Sequence, residues 1–246
     1  TRRRLCIGLG PQYLGGYAGL TGHGVPPVVM PAAFFLKQST VRTLNFKMKT
    51  MKSLAVVALL GMAGSVWAQA DEERAKKIVG GVCFVCHGAE GESSSEVFPR
   101  LAGQHWEYTA KQLENFKSGK RKSTAMSNMV AKLTPDEMVA LGKYFEKKST
   151  PREPAKDEDL SGMGKYIYLH GNKYSSLPAC ASCHGKEGLG TASLPRLAGQ
   201  YAVYIEAQLK QFNLRERTND NEVMHSIVAK MTPLEIAAVA EYLSGK

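Results

Sequence analysis

The sequence predicts an all-α protein built as two tandem, related helical domains. Three observations carry that reading. The pentapeptide Cys83-Phe84-Val85-Cys86-His87 returns as Cys180-Ala181-Ser182-Cys183-His184, 97 residues later. Two further landmarks repeat in the same order: Pro-Arg-Leu-Ala-Gly-Gln at 99–104 and 195–200, and Val-Ala-Lys-x-Thr-Pro at 130–135 and 228–233. Their offsets of 96 and 98 differ from the first by a single residue, the mark of a duplicated domain. The segments between the landmarks carry apolar residues at helical spacing, with helix-start signals and no strand-like alternation.

Taken in order, residues 1–47 hold Gly/Pro-rich turns and scattered aromatics with no helical or strand period, and are read as upstream sequence rather than a domain. Residues 48–70 read as a signal peptide. Lys49 and Lys52 form the positive region, Leu54 to Val66 the apolar region, and Ala68-Gln69-Ala70 the cleavage site. The apolar run is shorter than the roughly 20 residues a membrane span needs. The first domain is expected over 71–148, a linker over 149–159 and the second domain over 160–246.

Each domain resolves into the same helices. Asp71 to Val82 is a short helix with acids in its first turn. Trp106 to Lys117 and Tyr201 to Leu214 form a matched pair. Thr134-Pro135-Asp136-Glu137 and Thr232-Pro233-Leu234-Glu235 each place Thr at the N-cap, Pro at the first helical position and Glu three past the cap. Met138, Leu141 and Phe145 then make one apolar stripe, and Ile236, Val239 and Leu243 its twin. The linker has two prolines and mixed charge, and the second copy carries an extra stretch, Asn172 to Pro178, before its Cys-His motif.

Charge excludes one class of function. Of the formal +10, eight positive charges lie in residues 1–70 with no acid, which leaves +2 for residues 71–246. That is no signature of a nucleic-acid binder. Four of the five cysteines sit in the two motifs and the fifth, Cys6, in the leader, so no disulfide framework exists.

C-x-x-C-H is the attachment signature of c-type haem. Cys83/Cys86 and Cys180/Cys183 are read as the thioether pairs of two haem c groups, with His87 and His184 as proximal iron ligands. A four-cysteine zinc site and a thioredoxin-like pair were weighed against this. The His after each motif and the helical context favour haem. Met126 and Met224 align at an offset of 98, on a polar loop 39 and 40 residues past the proximal histidines, and are read as the sixth ligands. Met129 aligns with Ile227 and Met231 with Leu133, which reads as packing. His105 and His225 align with Tyr201 and Ser127, so each is expected at the surface or an interface. His170 has no assigned role. Pro99 and Pro195 follow the proximal histidines by 12 and 11 residues. Their carbonyls either accept the other imidazole N–H or belong to simple turns. Arg100 and Arg196 are either donors to haem propionates or exposed surface residues.

On C-x-x-C-H-G and P-R-L-A-G-Q twice over, and on Met126 and Met224 ahead of the T-P-x-E helices, residues 71–246 resemble the dihaem cytochrome c4 family. The resemblance implies two class I cytochrome c domains and two low-spin His/Met haems facing each other across a pseudo-twofold interface. It also implies periplasmic electron transfer, with a quinol-oxidising complex as donor and a terminal oxidase as acceptor, and is compatible with peripheral membrane association. The expectation is an electron carrier, not an enzyme. The rivals are a dihaem peroxidase, a thiosulfate dehydrogenase, and the cytochrome subunit of a flavocytochrome sulfide dehydrogenase.

Overall fold

The structure, a computed structural model, describes residues 69–246 apart from Arg152. The expectations for residues 1–47, and for the signal peptide up to residue 68, lie outside the described residues. The described residues belong to one compact unit. Their regular secondary structure is helical, apart from an isolated bridge between Asn172 and Leu177.

The first repeat opens with α1, helical over 69–78, which passes through a π-helical turn at Val79–Cys83 into α2 (Phe84–His87). It continues with α3 (Trp106–Lys117), α4 (Thr124–Val130) and α5 (Pro135–Glu146). The second repeat contains α6 (Glu158–His170), α7 (Ala181–His184), α8 (Ala202–Asn213), α9 (Val223–Val228) and α10 (Pro233–Ser244). Both T-P-x-E segments form complete capping boxes with Pro in the first turn, which satisfies helix N–H groups that otherwise lack partners. The stripes predicted on α5 and α10 are the cores: Met138, Leu141 and Phe145 are each 2 % exposed, and Ile236, Val239 and Leu243 1–3 %.

In the first repeat, Ala75 and Val79 of α1 pack against Ala140, Leu141, Tyr144 and Phe145 of α5. In the second, Ile167 and Tyr168 of α6 meet Val239, Ala240 and Leu243 of α10. Gly164 permits that crossing, because a Cβ there would stand 1.9 Å from the Ala238 carbonyl oxygen. The extra stretch before the second motif is a closed loop. Asn172 and Leu177 exchange backbone hydrogen bonds of 2.9 Å, Leu177 is buried in the core, and the Asn172 amide donates to Glu235 Oε1 at 2.7 Å. Tyr174 stands clear of the surface, 89 % exposed.

The repeats meet through reciprocal polar contacts. Gln200 accepts the Arg100 N–H (2.9 Å) and donates to the Arg100 carbonyl (2.9 Å). Gln104 does the same to Arg196, at 2.9 and 3.0 Å. A second exchange lies between α3 and α8. Arg121 donates to Gln112 of its own repeat and to Tyr204 and Gln208 of the other. Arg217 donates to Gln208 of its own repeat and to Tyr108 and Gln112 of the other. Each of these guanidinium groups also lies over a ring, Phe116 for Arg121 and Phe212 for Arg217. These reciprocal bonds make the contact pseudo-twofold.

Candidate haem-attachment centres

The two Cys-His motifs reach the same geometry by different routes. In the first repeat the chain never leaves the helix; the π-turn at Val79–Cys83 feeds directly into α2. A π-turn inserts one extra residue into a helix and recurs at functional positions. In the second repeat α6 stops at Gly171 and the Asn172–Pro178 loop delivers the chain to α7. Both motifs end at a glycine, Gly88 (φ 75°) and Gly185 (φ 78°), in a conformation that side chains disfavour.

His87 and His184 are 7 % and 8 % exposed. His87 Nδ1 stands 2.9 Å from the Pro99 carbonyl oxygen, and His184 Nδ1 stands 3.1 Å from that of Pro195. A carbonyl only accepts, so Nδ1 carries the proton in both rings and Nε2 is left as a lone pair. Burial pushes both imidazoles below their ordinary pKa, against a smaller opposite effect of the carbonyl. A neutral ring with Nδ1–H held by a carbonyl is the state a metal-bound histidine requires.

The four motif cysteines are free thiols. Burial raises the Cys83 thiol and takes Cys180 to about 11. They do not converge on one point: among the described residues the group able to gather three metal-binding side chains contains no cysteine. A shared four-cysteine zinc site therefore fails, and the donor set of each repeat (two cysteine thiols beside a buried imidazole with a bare Nε2) fits a covalently attached haem. Around the first motif Phe84 and Val85 are 45 % and 62 % exposed, where the second has Ala181 and Ser182.

Met126 and Met224 do not lie on loops, as expected, but within α4 and α9. Local capping explains the difference: Ser123 Oγ accepts the Met126 N–H at 3.3 Å, and Asp220 Oδ2 accepts that of Met224 at 2.6 Å. Both methionines are half-buried, and Met224 packs on the cluster of Phe212, Val228 and Ile236. The expectation that Met129 is packing is corrected. It is 50 % exposed, because one face of the short α4 is buried and Val130, at 1 %, occupies it. Met231 does pack on the second-repeat core.

Arg100 is not a surface residue. It is 4 % exposed and donates to the carbonyls of Glu92, Gly199 and Pro151 and to the Glu153 carboxylate, with its guanidinium 3.9 Å over the Tyr201 ring. Arg196 is half-buried, with Nε donating to the Ala198 carbonyl at 3.2 Å. Among the other histidines, His225 Nδ1 reaches the Phe212 and Asn213 carbonyls and closes the end of α8, and His170 lies against Tyr166. His105 reaches across the repeats to the Leu189 carbonyl. Sequence reasoning missed the Tyr108–Gln112–Arg121 and Tyr204–Gln208–Arg217 sets. Their signal was present, as identical polar residues recurring at an offset of 96.

The family model described as cytochrome c matches residues 72–168 and 164–245. A cytochrome c4 of Pseudomonas aeruginosa is 35 % identical over 196 residues, 78 % of this chain and 96 % of that protein. A thiosulfate dehydrogenase electron acceptor of Stutzerimonas stutzeri is 39 % identical over 167 residues, 66 % of this chain and 77 % of that protein. Among solved structures, reduced recombinant cytochrome c4 from Pseudomonas stutzeri superposes with a TM-score of 0.67 at 33 % identity, covering 70 % of this chain and 97 % of that one.

Proposed function

From the premise that the chain belongs to the cytochrome c family, and within it to the cytochrome c4 group of dihaem electron carriers, we propose that it shuttles electrons in the periplasm from a quinol-oxidising complex to a terminal oxidase. Cys83/Cys86 and Cys180/Cys183 hold the two haem c groups covalently. His87 and Met126 bind iron in the first repeat, and His184 and Met224 in the second. When bound, each haem would supply a one-electron iron couple, whose potential a soft thioether ligand would raise. The protein's own contribution is positional. The Pro99 and Pro195 carbonyls fix each ring, helix capping sets each methionine, and burial keeps both imidazoles neutral. Arg100 and Arg196 are the donors assigned to the propionates, as charge-assisted hydrogen bonds.

The observation that carries this reading is the duplication itself: the same buried imidazole held by the same proline carbonyl in both repeats. An enzyme needs one centre open to substrate, whereas a carrier needs two closed ones. No helix among the described residues is long and apolar enough to cross a membrane. The test is a redox titration of the holoprotein, followed by stopped-flow mixing with a purified quinol-oxidising complex and with a terminal oxidase. Rapid reduction and reoxidation are expected; turnover of peroxide or thiosulfate by the isolated protein would overturn the assignment. A second reading, an acceptor for thiosulfate dehydrogenase, is favoured by the 39 % identical relative of that name. Reduction that needs both thiosulfate and that dehydrogenase would select it.

A further inference from the structure

Away from both Cys-His motifs, His105, Glu107 and Glu146 bring one ligand atom each to within 4.8 Å of one another, the one such group among the described residues. His105 is the N-cap residue of α3, Glu107 lies in its first turn, and Glu146 closes α5. The two helices are locked together here. Glu146 Oε1 accepts the Trp106 N–H at 3.2 Å, and a Cβ at Gly142 would fall 2.6 Å from the Trp106 carbonyl oxygen.

The orientation of the His105 ring decides what the cluster can do. Nε2 stands 2.9 Å from the Leu189 carbonyl oxygen of the second repeat. A carbonyl cannot donate, so Nε2 carries the hydrogen, and in the neutral ring Nδ1 presents a lone pair. That lone pair faces Glu146 Oε1 at 3.8 Å, with the Glu107 carboxylate alongside. An imidazole nitrogen and two carboxylates therefore converge. The ring is also held as metal-bound histidines are held, with the far N–H on a backbone carbonyl.

We infer that His105 Nδ1, Glu107 and Glu146 form a binding site for a divalent transition metal of the zinc type. One imidazole with two carboxylates suits zinc, while calcium takes six to eight oxygens and magnesium keeps a shell of waters. Bonds of about 2.0–2.1 Å require the ligand atoms to draw in from their present spacing. The His105 and Glu146 side chains are 31 % and 38 % exposed, so an ion and its waters can reach them. Remaining coordination positions go to water. The site belongs to the first repeat alone, since the equivalent positions are Tyr201, Val203 and Ser244. Through Leu189 it touches the loop that follows the second motif, where the Gly190 N–H donates to the His184 carbonyl.

The experiment uses chelator-treated holoprotein titrated with Zn²⁺ by calorimetry near neutral pH. Saturable binding is expected. His105→Ala and Glu107→Gln should each weaken it about tenfold or more, as even outer-ligand changes do; Glu107→Gln leaves the Glu146–Trp106 lock intact. Haem spectra of the variants verify that the fold is preserved. Absorption at the zinc edge, blind to haem iron, should show nitrogen and oxygen neighbours at about 2.0–2.1 Å. Absence of saturable binding would overturn the inference. So would binding that survives within about twofold in both variants, against the tenfold loss such ligands produce.

Discussion

Replacing Gln200 with Leu tests how the two repeats are held. Gln200 is 9 % exposed, and its amide grips both backbone groups of Arg100, itself 4 % exposed, at 2.9 Å each. Leucine has nearly the same size but offers neither donor nor acceptor, so an N–H and a C=O are left buried without partners. Each such loss costs about 1–3 kcal/mol, which makes the change worth about 2–6 kcal/mol in total. The mirror change, Gln104→Leu, frees the N–H and carbonyl of Arg196. Arg196 is only half-buried, so water recovers part of the loss and the cost should fall to about 1–3 kcal/mol. Urea unfolding of the holoproteins, followed at the haem band and in the far ultraviolet, reads both values, with the slope checked for loss of two-state behaviour. A Gln200→Leu protein within about 0.5 kcal/mol of the parent, the range of a neutral surface change, would refute the reasoning. A larger loss in Gln104→Leu than in Gln200→Leu would refute it equally.

Met126→Ala and Met224→Ala should each remove about half of the weak far-red iron–sulfur band and lower one of two potentials, whereas Met129→Ala, at an exposed position, should leave the spectrum intact and stability within about 0.5 kcal/mol. Gly164→Ala sets a Cβ 1.9 Å from the Ala238 carbonyl oxygen; it should force α6 off α10 and destabilise the second repeat by about 3 kcal/mol or more in thermal unfolding. For Glu235, burial alone would raise the carboxyl pKa, but hydrogen bonds from the Thr232 N–H, the Asn172 amide and the Thr232 hydroxyl outweigh it and leave it below 4.5. A depressed carboxyl adds stability above its unfolded pKa and loses it as pH falls through the folded one. Glu235→Gln should therefore be less stable than the parent near neutrality, and the gap should shrink below about pH 4.5, read as denaturation midpoints across that range.

What the sequence disclosed and what it hid follow from the range of the interactions. α3, α5, α8 and α10 were legible because caps and apolar stripes are local. The role of α4 and α9 as helices was not, since a single serine or aspartate cap beside polar residues reads equally well as a loop. The helix read over 71–82 does run through Gly80 and Gly81, but its passage into the first motif as a π-turn, with Val79 anchored against α5, was not legible. Met129 misled because alignment with Ile227 says nothing about which side of a short helix meets the core. The polar seam escaped notice for a different reason. The rings of Tyr108 and Tyr204 fit the apolar spacing of α3 and α8, and only their partners in the other repeat reveal the hydroxyls as acceptors.

The reciprocity of that seam bears on how the two halves associate. In the paired bonds of the seam each repeat carries both halves: a glutamine amide that grips and an arginine backbone that is gripped, a tyrosine that accepts and a guanidinium that donates. This is the self-complementarity of an isologous homodimer. A single domain bearing these residues would pair with its own copy, and carrying two on one chain makes that encounter intramolecular, replacing bulk concentration by the far higher effective concentration of a tether. The halves are not copies in every respect, since one carries a tyrosine-tipped loop and the other a histidine with two carboxylates.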